Sequence, residues 1–192
     1  MRRLRRHYTR SLAQSPPSIV RAVARELLRT PGWTTRLVAY ELLAGHREAF
    51  ASLRERDVVA MGRGLSDWGS VDLFGVTVSG PAWRMGLVSD RTVQRWAKSS
   101  DRWQRRLALV STVALNSRAR GGSGDMRRTL PVCRGLVADR EDMVVKAMSW
   151  ALREAVKRDA AAVRQFISKH EGHLAPRVLR EVRSKLLTGR KS

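Results

Sequence analysis

The stretch Trp33-Thr-Thr-Arg-Leu37-Val-Ala-Tyr40 returns 35 residues later as Trp68-Gly-Ser-Val-Asp72-Leu-Phe-Gly75 and, after the same interval, as Trp103-Gln-Arg-Arg106-Leu107-Ala-Leu-Val110. An even period of this length marks one supersecondary unit copied along the chain. Within each copy the apolar residues recur at helical spacing, as in Trp33, Leu37, Val38 and Glu41-Leu42-Leu43. Asp67, and either Ser100 or Asp101, stand where the N-caps of the second and third tryptophan helices belong. The fourth residue after the tryptophan is leucine in the first and third copies and Asp72 in the middle one. A carboxylate at a core-type position is costly unless it is paired or put to chemical use.

Upstream of these copies, Ser15-Pro16-Pro17-Ser18 breaks the chain and offers Ser18 as the N-cap of a first helix carrying Ile19, Val20, Val23, Leu27 and Leu28, ended by Pro31-Gly32. Residues 47–61 and 90–98 read as partner helices, so each unit is a helix pair. The glycine- and arginine-rich segment 116–124 is expected to be a flexible, exposed loop, inserted before a fourth unit. That unit's helix, Val145-Lys-Ala-Met-Ser-Trp150-Ala-Leu-Arg-Glu154, aligns with the Trp103 helix at 42 residues, the period plus seven. Residues 160–170 and 176–187 supply a final pair, and no strand pattern competes. The expected fold is all-α: an α-solenoid of HEAT-like helical repeats, right-curved, with a concave basic face. The expected organisation is a basic N-terminal arm over 1–17, the repeat domain over 18–187 and a tail over 188–192.

Lys and Arg total 38 against 17 Asp and Glu, a formal net charge of +21. Such an excess calls for a polyanionic partner, and nucleic acid is the first candidate. Codon bias in a GC-rich genome is the competing explanation, but bias alone does not suppress acidic residues. Cys133 is the single cysteine, so no internal disulfide or cysteine-rich metal site can form, and a small core residue is its simplest role. No apolar run reaches the length that crosses a bilayer, and the start lacks a secretory core. A cytoplasmic or nucleoid-associated protein follows as the expectation.

Several clusters could carry function. On the fourth-unit helix Lys146, Trp150, Arg153 and Lys157 share one face, a cationic surface around an indole that suits phosphate contact or simply a solvated face. Arg102, Arg105 and Arg106 crowd beside Trp103, and arginine grips phosphate oxygens with two parallel donors. A tryptophan repeated at one position is usually packing, which covers Trp33 and Trp103 and is the alternative for Trp68. For Asp72 the alternative is an ion pair with an arginine of the next unit, which does not exclude catalysis. His170-Glu-Gly-His173 lacks further ligands nearby and does not make a metal site.

Trp68-Gly-Ser-Val-Asp72, Trp103-Gln-Arg-Arg106 and Ala147-Met-Ser-Trp150-Ala-Leu-Arg-Glu154, in this order and spacing, resemble the signature segments of the AlkD-like alkylpurine DNA glycosylases of the DNA alkylation repair family. The resemblance covers roughly residues 18–187 and includes Leu174-Ala-Pro-Arg-Val-Leu-Arg-Glu181, similar to the family's last helix. It implies a monomer that hydrolyses the N-glycosidic bond of N3- or N7-alkylated purines in double-stranded DNA, with no metal or organic cofactor and no membrane.

The resemblance further places Trp68, Asp72 and Trp150 at the catalytic cleft and Arg106 on the DNA backbone. Arg105, Lys146 and Arg153, with Trp68 and Trp150, complete the expected DNA-binding set. Family members act without turning the base into a deep pocket. Compared with them, the chain carries the basic arm and a shorter first helix in place of a longer N-terminal helical region. Gly69 stands where a bulkier polar residue is expected, and the loop at 118–124 is an addition. Relatives of this scaffold that bind unusual DNA without cleaving it supply the alternative, a non-catalytic DNA-binding repeat protein for damaged or branched DNA.

Overall fold

The structure, a computed structural model, describes residues 11–30 and 32–190, so residues 1–10 of the expected basic arm lie outside it. The described residues fold as α1 (Pro17–Arg29), α2 (Trp33–Gly45), α3 (Arg47–Ala51), α4 (Glu55–Met61) and α5 (Trp68–Phe74), which runs through a π-helical turn (Gly75–Ser79) into α6 (Gly80–Arg84). There follow α7 (Asp90–Ala97), α8 (Arg102–Asn116), a short 3-10 turn (Arg118–Arg120), α9 (Met126–Arg134), α10 (Asp142–Val156), α11 (Ala160–Lys169) and α12 (Pro176–Thr188). No strand occurs among the described residues, and none of their helices is long and apolar enough to cross a membrane.

The helices of the repeated segments stack in chain order. α2 packs on α5 and its π turn, these on α8, α8 on α10, and α10 on α12, while α7, α9 and α11 cover the row from a second layer. This is the helical-repeat solenoid that the period implies. One apolar cluster runs through it, from Tyr40 and Phe74 through Leu109 and Leu152 to Val182. Cys133 is buried there, and burial pushes its thiol up to about 12.

Aspartates begin several helices as expected: Asp67 accepts from the Ser70 N–H at 2.8 Å and Asp101 from the Trp103 N–H at 2.9 Å. Ser18 does not cap α1. Pro16 holds the cap position and Pro17 opens the helix, where its missing N–H is no loss and its fixed φ already suits a helix. The partner segment 47–61 is two short helices rather than one, because residues 52–54 turn away and Arg21 fastens the break through Ser52 Oγ at 2.7 Å. The loop after α8 is tied down rather than loose. Asn116 is fully buried and donates to Thr129 Oγ1 at 2.8 Å, Arg84 donates to the Ala114 and Arg120 carbonyls at 3.0 Å each, and Arg158 donates to the Asn116 carbonyl at 2.6 Å.

The α5–α8 contact is close because two glycines face it. A Cβ on Gly75 would stand 2.5 Å from Val110 Cγ1, and one on Gly80 would stand 2.6 Å from the Ser111 carbonyl. The i→i+5 bond from the Gly80 N–H to the Gly75 carbonyl sets both glycines above one another on the side facing α8. Between them Ser79 Oγ meets Ser111 Oγ at 2.7 Å. This approach sets α5 against α8 so that side chains from their first turns can meet.

Candidate functional site

Trp68 is the first residue of α5, and Asp72, one turn later, lies on the same helical face. Arg106, in the first turns of α8, reaches across to it. Its Nε donates to Asp72 Oδ1 at 2.8 Å and its Nη2 to Asp72 Oδ2 at 2.7 Å, a two-pronged grip that fixes the carboxylate plane. The remaining prong, Nη1, donates to the Met143 carbonyl at the start of α10. One guanidinium therefore ties three stacked helices together with the carboxylate at its end. The Arg106 side chain is 6% exposed and that of Asp72 18%, so the arginine is sealed while the carboxylate keeps an open edge.

Both Asp72 oxygens accept from the same cation, an arrangement that favours the ionised form. Burial nevertheless pushes the carboxyl above its ordinary value; the hydrogen bonds and charge of Arg106 pull the other way without cancelling it, and Asp67 adds a small upward push. The carboxylate is thus held in place but incompletely compensated, a condition typical of groups poised for chemistry.

Trp150 lies seven residues beyond Met143 on α10, hence on the same face two turns on, and is half-buried against the core. Trp68 is 61% exposed. Asp72 and Arg106 thus meet directly, Trp68 stands one turn before Asp72 on α5, and Trp150 lies two turns beyond the Met143 carbonyl that Arg106 holds.

The expectation that the repeated tryptophans are core marks needs correction. Trp103 is half-buried on the core, with the Arg102 guanidinium 4.9 Å from its ring centroid. Trp33, however, is 49% exposed. It is the first residue of its helix. Its Nε1 lies 3.5 Å from where a Cβ on Gly69 would stand, so the glycine after Trp68 leaves room for a second open indole beside the first.

The expected DNA-binding cations are placed differently from one another. Arg106 spends its donors on Asp72 and Met143 as described. Arg105 donates to Asp139 Oδ2 at 2.7 Å and to the Ser99 and Ser100 carbonyls, closing the loop before α8. Arg153 donates to Ser149 Oγ and lies 3.6 Å from Glu181. Lys146 pairs with Asp142 at 2.6 Å and Lys157 with Glu154 at 2.5 Å, though both keep exposed surface. The cationic face read from α10 is therefore a set of ties within and between units. Stacking delivers each of these arginines a carboxylate from a distant part of the chain, a relation invisible along one helix alone. The Met143 carbonyl, which anchors Arg106, carried no sequence signal. His170 and His173 join no cluster of three metal-ligating groups among the described residues.

A family model described as DNA alkylation repair enzyme matches residues 1–186. No curated protein matches. Among solved structures, a "Predicted DNA alkylation repair enzyme from Enterococcus faecalis" is similar at a TM-score of 0.72 and 19% identity, covering 98% of this chain and 83% of that one. At that identity the likeness concerns the fold.

Proposed function

Because the chain belongs to the family of DNA alkylation repair enzymes, we propose that it is a glycosylase that hydrolyses the N-glycosidic bond of cationic N3- or N7-alkylated purines in duplex DNA. The observation that carries this reading is Asp72: a carboxyl gripped at both oxygens by Arg106, with an open edge one turn after the exposed Trp68.

An alkylated purine of this kind is already positively charged and leaves readily, so the demand falls on the sugar, which develops cationic charge as the bond breaks. A fixed carboxylate at that point stabilises the charge without having to reorganise. As the purine departs as a neutral free base, the same carboxylate orients a water for attack at C1′ of the sugar cation and takes up the proton that the water loses. Arg106 acts through Asp72 as a positioning residue. Indoles at Trp68 and Trp150 offer flat faces to the sugar and the cationic base, each contact contributing on the order of 1 kcal/mol. The monomer needs no further group for these steps.

The test is release of free 7-methylguanine or 3-methyladenine from methylated duplex DNA, followed by chromatography. Steady release supports the reading, and none at high protein concentration overturns it. One observation favours a second reading, a non-catalytic binder of damaged or branched DNA: both Asp72 oxygens already have a partner. That reading predicts tight, salt-sensitive binding to such DNA without base release.

A further inference from the structure

The cations free to meet a polyanion lie elsewhere on the molecule. A cleft of about 510 Å³ opens between α1, α2 and α4, and a second of about 800 Å³ between the end of α4, α7 and the start of α8. Arg63 lines both, so the two clefts adjoin at its side chain and are treated together as one grooved face. Arg25, Arg54, Arg56, Arg63, Arg91 and Lys98 line it, all are exposed, and none has a carboxylate partner among the described residues. The single acidic residue along it, Asp57, accepts from the Arg54 backbone N–H at 3.0 Å as a cap of α4.

Both ends of the groove meet the flanks of the site. Arg36, on its wall, donates to Ser70 Oγ at 3.3 Å on the Trp68 helix, and Ser100 at the far end receives Arg105. Arg63 itself lies five residues before Trp68 on the segment that leads into α5.

We propose that this groove binds the phosphodiester backbone of the substrate DNA beside the lesion, with the unpaired guanidinium groups replacing the counterions of successive phosphates. The phosphate contacts expected of Arg105, Arg106 and Arg153 thus fall instead to residues on α1, α4, α7 and the segments that follow α4 and α7. This rests on the DNA-repair reading above but not on its chemistry.

The experiment compares the triple variant Arg56→Ala/Arg63→Ala/Arg91→Ala with a control triple of equal charge change, Arg127→Ala/Arg164→Ala/Lys169→Ala, all six residues being exposed. Binding of each to a short unmodified duplex is titrated against salt. The groove variant should lower the slope of log K against log salt by about 2.7, at about 0.9 per lost phosphate contact, and weaken binding tenfold or more at moderate salt. The control should stay close to wild type. Equal losses in both triples, an unchanged slope in the groove triple, or a wild type that does not bind would overturn the groove. Base release is measured separately: a wild type that binds with the groove-dependent slope but releases no base upholds the groove and refutes the glycosylase.

Discussion

Asp72 and Glu181, two of the carboxylates that arginines hold in the stacked row, are held differently. Glu181 on α12 receives Ser149 Oγ at 2.6 Å and Arg177 Nε at 2.9 Å, with Arg153 3.6 Å away, and its side chain is 5% exposed. Asp72 receives one guanidinium and retains an open edge. Glu181 is saturated by two cations and a hydroxyl and sealed between units, which suits a fastening. Asp72 is gripped from behind only, beside an exposed indole, which suits a group that must meet a substrate. The same pair of residue types can thus make a clamp or a candidate site, according to how many partners surround the carboxylate and whether solvent reaches it.

The sharpest way to break this comparison is to empty the clamp. Glu181→Ala leaves Arg153 and Arg177 without their buried partner and should cost about 3–5 kcal/mol. In a chain of 192 residues that lowers Tm by roughly 6–20 °C, while base release per folded molecule stays near wild type. A calorimetric scan beside the release assay checks both halves; a loss of activity that exceeds the loss of folded protein would put Glu181 in the site.

Arg106→Gln weakens the grip on Asp72 while leaving the carboxyl in place. Without the cation that pulls its pKa down, the Asp72 carboxyl rises further, so the acidic limb of kcat/KM moves to higher pH. A merely structural arginine would lower the rate without moving that limb. Arg106→Lys, which keeps the charge but loses the fork, should bring the limb back toward wild type.

Trp68→Ala removes an exposed indole and should leave stability almost unchanged, with catalysis reduced about fivefold if the indole contributes on the order of 1 kcal/mol to the transition state. Single-turnover rates at saturating protein report it.

The smallest effect is on stability against pH. The folded Asp72 carboxyl titrates above the ordinary value of 3.8, so across that window the folded protein holds a proton that the unfolded chain has lost. Its contribution to stability is therefore greatest below the ordinary value, declines as pH rises through the folded one, and is level beyond. Asp72→Asn removes this slope from the pH profile of urea midpoints; an unchanged slope assigns it to another group.

Much of this was legible in the residues. The even tryptophan period and the aspartate caps placed the helices, and the single acidic break in the period picked out Asp72. What one strand of text could not show is which neighbour each side chain meets. Arg105 and Arg106 are adjacent, yet one reaches forward 34 residues to Asp139 and the other back 34 to Asp72. Only the stacking of units decides those directions, and it turned expected phosphate contacts into internal ties. Trp33 and Trp103 hold the same repeat position, but one stands open at the end of its helix and the other leans on the core. Periodicity marks the position within a unit and is silent on whether the next unit covers it.

The central claim is that the open carboxylate performs the chemistry. It is tested by comparing wild type with Asp72→Asn for single-turnover release of 7-methylguanine and for equilibrium binding to the same duplex. Asp72→Asn should lose at least about 10²-fold in rate, the scale seen when a preorganised charge-stabilising group is removed, with binding within a few-fold of wild type. Equal release rates, or a loss of binding that accounts for the whole loss of rate, would contradict it.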